Sequence, residues 1–354
     1  MKKVISVLLA LVLALSLFAC TKSDNNDTTT ADDGSETTAA GETLKADENG
    51  LKEITLCLDW TPNTNHTGFY VADAKGYYKD AGLKIKIVQP PEDGAELMCA
   101  AGQAQFAISF QDTIAASFAS DSPIGVTAVA AILQHNTSGI ITRKGEGADR
   151  PKGLEGKTYS TWDSPIEKAM IKYVMEKDGG DFSKLTLIPS TVTDEASALK
   201  NKDTDAIWIF YGWAGINAEL QGLDFDYFDF ISIDNVFDYY TPMIIANNDF
   251  LKNDPETAKA FLAATKKGYE FAIENPEESA QILIDGDTTG SLKGSEELVT
   301  ASQKWISKQY KADADEWGVF DANRWDNFYK WLSDNKLVEK RLEKGTGFTN
   351  DFIQ

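Results

Sequence analysis

The sequence is poor in the residues on which most metal and phosphate chemistry depends. Its 354 residues include two histidines, His66 and His135, and three cysteines, Cys20, Cys57 and Cys99. Histidines so few and so far apart supply no HExxH-type or clustered zinc site, and three cysteines do not make a thiolate metal centre. Cys57 falls in an apolar strand and Cys99 in an Ala-rich helix, which reads as two buried free thiols rather than a disulfide. Arginine occurs four times, at 143, 150, 324 and 341, and the net charge is −21. Such an acid excess excludes a nucleic-acid footprint. A clamp for phosphate or sulfonate would want arginine close by. After the first twenty residues no apolar run approaches the length of a membrane span, and no cofactor or metal is expected.

What is present begins with a leader. Lys2 and Lys3 precede the apolar run 4–18 and the small residue Ala19, so residues 1–19 read as a signal peptide. The run is shorter than the roughly 20 residues of a membrane span and stops at Cys20. The segment Leu17-Phe18-Ala19-Cys20 resembles the lipobox of bacterial lipoproteins, which implies lipidation of Cys20; an ordinary cleaved secretion signal is the alternative. From 20 to 50 the chain is mostly Asn, Asp, Thr, Ser, Gly and Glu, with too little apolar area to offset ordering, and it reads as a disordered lipoprotein tether. The expected location is extracytoplasmic, lipid-anchored to the cell membrane. Loss of Lys2 and Lys3 with the leader takes the net charge from −21 to −23.

The remaining 300 or so residues suffice for two lobes with separate cores. Runs rich in β-branched and aromatic residues predict strands at 54–58, 83–88, 105–109, 126–133, 139–142, 157–160, 185–189, 205–210, 228–233 and 243–246. Helical patterns lie between them, so the fold class is α/β. Ser164-Pro165-Ile166-Glu167 has a hydroxyl N-cap, Pro at N1 and Glu at N3, opening a helix with Ile166, Met170, Tyr173 and Val174 on its apolar face. Asp254-Pro255 and Asn275-Pro276 open two more, and Trp305, Trp317, Trp325, Tyr329 and Trp331 read as packing anchors of a helical C-terminus. The strands at 138–143 and 243–246 look like crossings between lobes. They divide the chain into lobe 1 (51–140), lobe 2 (141–242) and the second part of lobe 1 (243–354), joined by a hinge that closes on a ligand. A monomer is expected.

The most informative segment is Leu58-Asp59-Trp60-Thr61-Pro62-Asn63-Thr64-Asn65-His66. It reads as a strand, a Pro-stiffened polar turn and a helix start, the place where α/β sheets bind ligands. Asp59, Trp60, Asn65 and His66 therefore stand at a candidate pocket mouth. Ser109, Gln111 and Asp112 end another strand, Tyr211 and Trp213 end the strand 205–210, and Tyr240 precedes the return crossing. Trp162 ends a lobe 2 strand, and Glu195 opens a helix. Together Trp60, Tyr211, Trp213 and Tyr240 are expected to sandwich a flat, neutral, nitrogenous ring, with Asp59, Asn65, Gln111, Asp112 or Glu195 meeting its amine and ring nitrogens. The plainer readings are a core tryptophan at 60, a helix cap at Asp112 and a first-turn acid at Glu195.

These motifs resemble the ABC-transporter solute-binding proteins for sulfonates, riboflavin and thiamine pyrimidines, the NMT1-like family. The similarity runs from about Leu51 to the end, and 58–66 is most similar to the branch that binds formylated aminopyrimidine. The resemblance implies a two-lobed, periplasmic-binding-protein-like (type II) fold, a heteroaromatic ligand, and an ABC permease and ATPase as partners. Riboflavin or a flavin precursor remains an alternative cargo, with an alkylsulfonate below it because the motifs lack arginine. Enzymes of pyrimidine synthesis form another branch, in which the histidine matching His66 is consumed and a cysteine-rich run works with iron. This chain has Asp238-Tyr239-Tyr240-Thr241-Pro242 in place of that run. A binding protein rather than an enzyme is therefore expected, with His66 as a wall or hydrogen-bond partner.

Overall fold

The computed structural model describes residues 44–353; the signal segment, Cys20 and most of the tether lie outside the described residues. The ten strands are β1 (Lys52–Cys57), β2 (Leu83–Val88), β3 (Phe106–Ser109), β4 (Val126–Ala131), β5 (Ser138–Arg143), β6 (Thr158–Thr161), β7 (Thr186–Pro189), β8 (Ala206–Phe210), β9 (Phe225–Asp229) and β10 (Met243–Asn247). They form two five-stranded sheets, in the orders β2-β1-β3-β10-β4 and β7-β6-β8-β5-β9. In each sheet one strand runs antiparallel to both neighbours: β10 between β3 and β4, β5 between β8 and β9. Those two strands are the ones that carry the chain from one sheet to the other. Their side chains are almost wholly buried, as expected of central strands covered on both faces.

Two details depart from the predicted elements. The ninth strand ends at Asp229, and 230–233 is a short helix. The Asp229 carboxylate accepts the Ser232 N–H at 2.7 Å, which caps a helix and stops the strand. Residues 44–50, expected to belong to the tether, turn back onto the first sheet. There Asp47 accepts from the Asn49 and Leu51 N–H groups, and Ala46 bridges Lys52.

The helix Thr67–Ala74, which follows the 58–66 turn, is fixed by a close crossing with Pro255–Glu274. A Cβ added to Gly268 would lie 2.0 Å from the Gly68 carbonyl oxygen, so the two backbones meet where only glycine fits. Trp317 and Trp325 are buried as predicted. Trp305 and Trp331 reach further, packing on Tyr211 and on Tyr173 and Phe237 of the second-sheet segment.

The crossings are tied together by charge. His135 in the first crossing meets Asp238 of the second through Nδ1 at 2.7 Å and Asp313 through Nε2 at 2.8 Å, and Arg324 lies 3.2 Å from the same Asp238. The Asp238 hydrogen bond above all raises the His135 pKa; Asp313 adds to this, while burial and Arg324 oppose it. A raised imidazole pKa stabilises the fold below the unfolded value near 6.5 and stops doing so as pH rises through the folded value. His135→Gln is therefore expected to lower the melting temperature at pH 6 and to change it much less at pH 9, as thermal unfolding at the two pH values would show.

Candidate functional site

The turn after β1 is built around His66. Its Nδ1 accepts the Asn63 N–H at 3.2 Å, while Asn63 Oδ1 accepts the Asn65 N–H at 2.9 Å. With Nδ1 an acceptor, Nε2 carries the hydrogen and donates it to Asp59 Oδ1 at 2.7 Å. The imidazole is fully buried. It orients Asp59, which remains partly accessible. Asn65 is half-buried and its carbonyl accepts from Tyr269 Oη at 2.6 Å. Trp60 stands out of the surface, 60% exposed.

At the end of β3, Ser109 Oγ donates to Glu96 Oε1 at 2.6 Å, and Asp112 lies in the first turn of helix Gln111–Phe118. Burial pushes the Asp112 carboxyl up to about 6, with the Glu96 charge adding to the rise and two backbone N–H groups opposing it. The charges of Asp59 and Glu96 both bear on the Cys57 thiol, which burial raises to about 12. Three carboxylates thus gather at the ends of β1 and β3. None of them pairs with a lysine or arginine among the described residues.

Gln111 and Tyr240 have a different role from the one expected. Gln111 Nε2 donates to the Trp325 carbonyl at 3.0 Å and its Oε1 accepts the Tyr240 N–H at 3.0 Å, so both ends of the amide are engaged internally. Tyr240 is fully buried against Phe320 and Trp325, and its hydroxyl accepts the Asp321 N–H at 2.6 Å. Both residues fasten the return crossing to the C-terminal segment. The expected four-ring sandwich does not form: Tyr211 packs on Tyr227 and Trp305, and Trp213 lies against the Ala280–Val299 cluster. What the two sheets bring together instead is Phe110, following β3, and Phe210, ending β8, near-parallel with centroids 6.3 Å apart.

On the second sheet Trp162 is 50% exposed, and its ring lies 5.7 Å from that of Trp208. Beneath it Glu167 accepts from Tyr159 Oη at 2.6 Å, Thr161 Oγ1 at 2.8 Å and the Trp162 N–H at 3.2 Å. Asp163 next to it holds a left-handed φ of 65°. Glu195 opens helix Glu195–Asn201, and burial raises its pKa, helped by Asp194. Sequence reasoning overlooked Glu96, Phe110, Phe210 and Trp208. Only the Asp93-Gly94 turn before the helix hints at Glu96.

Beyond the Phe110–Phe210 pair the sheets' segments meet again. Ser302 Oγ, 2.6 Å from Thr64 Oγ1, donates to the Gly212 carbonyl. A Cβ on Gly212 would lie 2.9 Å from the Trp305 ring, closer than a real contact tolerates. Gly212→Val is expected to oppose this approach, to cost the ligand-free protein about 1–3 kcal/mol of stability and to weaken ligand binding about tenfold. Titration and melting curves on the same variant check both.

A cavity of about 420 Å³ also opens on the first sheet's side, lined by Leu58, Pro62, Tyr70, Ile85, Ile87 and Gly286 among others. Its lining includes none of the carboxylates above. Among the described residues no group of His, Cys, Asp and Glu is arranged to hold a metal ion, and no helix is long and apolar enough to cross a membrane.

Two α/β sheets linked by a pair of exchanged strands define the periplasmic-binding-protein fold. A Candida albicans protein described as having that generic fold superimposes with a TM-score of 0.60 at 14% identity, covering 86% of this chain and 98% of the other. Residues 63–279 match the family described as NMT1/THI5 like, and the chain belongs to that family. A formylaminopyrimidine-binding protein of Halalkalibacterium halodurans is 25% identical over 307 residues, 86% of this chain and 92% of the relative. A 4-amino-5-hydroxymethyl-2-methylpyrimidine phosphate synthase of Saccharomyces cerevisiae is 27% identical over 255 residues, 66% of this chain and 71% of the relative.

Proposed function

We propose that this protein is the extracytoplasmic solute-binding component of an ABC importer, and that it captures a thiamine-type aminopyrimidine between its two lobes. The observation that carries the reading is the set of carboxylates Asp59, Glu96 and Asp112 with no lysine or arginine partner among the described residues, at the strand end that carries the paired rings of Phe110 and Phe210. Carboxylates accept hydrogen bonds and repel anions, so they suit a flat ring bearing N–H donors. The formylaminopyrimidine-binding relative, matched over most of both chains, supports the same cargo. In the site proposal, Asp59, Asp112 and Glu195 meet the amine and ring nitrogens, with Trp60 and Asn65 at the mouth and Ser109 holding Glu96.

An alkylsulfonate fits poorly, because its anion would face these carboxylates without an arginine. A synthase reading is disfavoured by the partners of its two landmarks. Both ring nitrogens of His66 are engaged in the turn, and Asp238 and Tyr240 fasten the crossings. Lipidation at Cys20 would hold the mature chain at the membrane through its tether, where a permease and ATPase take up the cargo from the closed form.

Thermal-shift measurements on the mature chain with formylaminopyrimidine, hydroxymethylpyrimidine, thiamine, riboflavin and taurine test the cargo. A ligand at 100 times its Kd adds about 2.7 kcal/mol. The pyrimidines are expected to shift the transition; a shift with riboflavin and with no pyrimidine contradicts the assignment.

A further inference from the structure

Four buried side-chain polar atoms have no hydrogen-bond partner among the described residues, and two of them share one face of the second sheet: Trp208 Nε1 and Ser138 Oγ. Trp208 is 5% exposed and Ser138 is fully buried. In the antiparallel register Ser138 lies opposite Phe210 and Ile140 opposite Trp208. Directly opposed residues point to the same face, and diagonal neighbours are within reach of long side chains. Ser138 and Trp208 therefore flank Phe210, the ring that stacks on Phe110 of the other sheet. On its other side Trp208 touches the half-exposed Trp162. Both unpaired atoms thus lie on the sheet face that carries Phe210, where Trp208 also packs on Phe230 with centroids 4.2 Å apart.

An indole N–H can only donate, and a serine hydroxyl can donate as well as accept. Buried polar groups are almost always paired, so the shortfall here has a chemical sign: the site needs an acceptor. The opposite wall, with Glu96, Asp112 and Asp59, needs donors. The three carboxylates on the first sheet's side thus offer acceptors, while these two atoms of the second sheet offer donors.

We infer that Trp208 Nε1, with Ser138 Oγ beside it, anchors an oxygen acceptor on the side arm of the ligand, making the cleft selective for aminopyrimidines whose 5-substituent carries a carbonyl or hydroxyl oxygen. The inference rests on the pyrimidine reading above. A 5-aminomethyl arm, protonated at neutral pH, offers only donors and would leave the indole unpaired. A 5-methyl arm offers nothing. A site built to hydrogen-bond a group discriminates strongly against an analogue lacking it, because its own polar atoms stay unpaired.

Calorimetric titration of the mature chain tests this with two proteins and two ligands, a cycle that separates the hydrogen bond from ring packing. The proteins are the unaltered chain and Trp208→Phe; the ligands are 4-amino-5-hydroxymethyl-2-methylpyrimidine and its 5-methyl analogue. The variant is expected to bind the hydroxymethyl compound about tenfold more weakly and the methyl analogue within twofold of the unaltered chain. Equal loss on both ligands, or no loss on either, overturns the assignment. Should Trp208→Phe fail to fold, Ser138→Ala is expected to weaken only the hydroxymethyl compound, by about threefold; an unchanged preference would count against the assignment. The unaltered chain should also prefer the hydroxymethyl over the 5-aminomethyl compound by at least about tenfold, and no preference overturns the assignment too. If the unaltered chain binds none of these pyrimidines, the functional reading itself fails.

Discussion

Glu167→Ala is expected to lower the stability of the protein by roughly 3–5 kcal/mol, or about 6–15 °C in melting temperature. The carboxylate is buried, and it accepts the Tyr159 and Thr161 hydroxyls and the Trp162 and Ser164 N–H groups, the last at 3.3 Å. Truncation leaves the Tyr159 hydroxyl sealed in the core with no acceptor. It also frees the Trp162–Ser164 turn, so the wall that Trp162 makes with Trp208 should loosen. Glu176→Ala is the control on the same helix: its carboxylate is exposed and meets only Lys172 at 3.8 Å, and such pairs contribute about 0.5 kcal/mol or less. Chemical denaturation of the two variants would measure the contrast. Similar small losses in both would show that Glu167 is merely a helix cap.

Asp112→Asn is expected to do two opposite things at pH 7: raise the stability of the ligand-free protein by on the order of 1 kcal/mol and weaken ligand binding about 10–100-fold. The folded protein holds the Asp112 carboxyl near 6, above its ordinary 3.8, mainly through burial. The folded state therefore favours the protonated form. That contribution to stability is complete below pH 3.8 and is lost as pH rises through about 6. At pH 7 the protein carries a partly desolvated charge with no cation beside it, and because the residue keeps some contact with water the penalty is well short of the full shift. Asparagine removes the charge, so the gain should appear at pH 7 and vanish at pH 4. In the proposed site the same charge accepts from a ligand amine, so affinity in the unaltered protein should rise with pH through about 6. Binding that is indifferent to both the substitution and the pH would remove Asp112 from the site.

How much of this was legible in the sequence depends on the range of the interaction. Strands such as Met243–Asn247 and Ser138–Arg143 are runs of apolar residues, so their existence and burial follow from local pattern. Ser164-Pro165-Ile166-Glu167 likewise announces a helix start. That Glu167 also holds Tyr159 and Thr161 is invisible until β6 is folded beside the helix. The placement of Asp59, Trp60 and Asp112 at strand ends followed from the general rule for α/β sheets. Tyr240 was misplaced because its partner is Asp321, a residue 81 positions away that no local pattern brings near. Glu96 reads as any first-turn acid; Ser109 gives it significance by hydrogen-bonding across the helix–strand connection. Phe110 and Phe210 look like ordinary strand residues, and only the juxtaposition of two sheets sets them face to face.

The most direct test is titration calorimetry of the mature chain with formylaminopyrimidine, with riboflavin and taurine run alongside. The expected result is saturable one-to-one binding of the pyrimidine with a negative heat-capacity change, as aromatic surfaces are buried on closure, and no heat of binding from taurine. Binding of taurine or riboflavin with none of the pyrimidine would contradict a cleft that gathers Asp59, Glu96 and Asp112 to receive a ring bearing N–H donors.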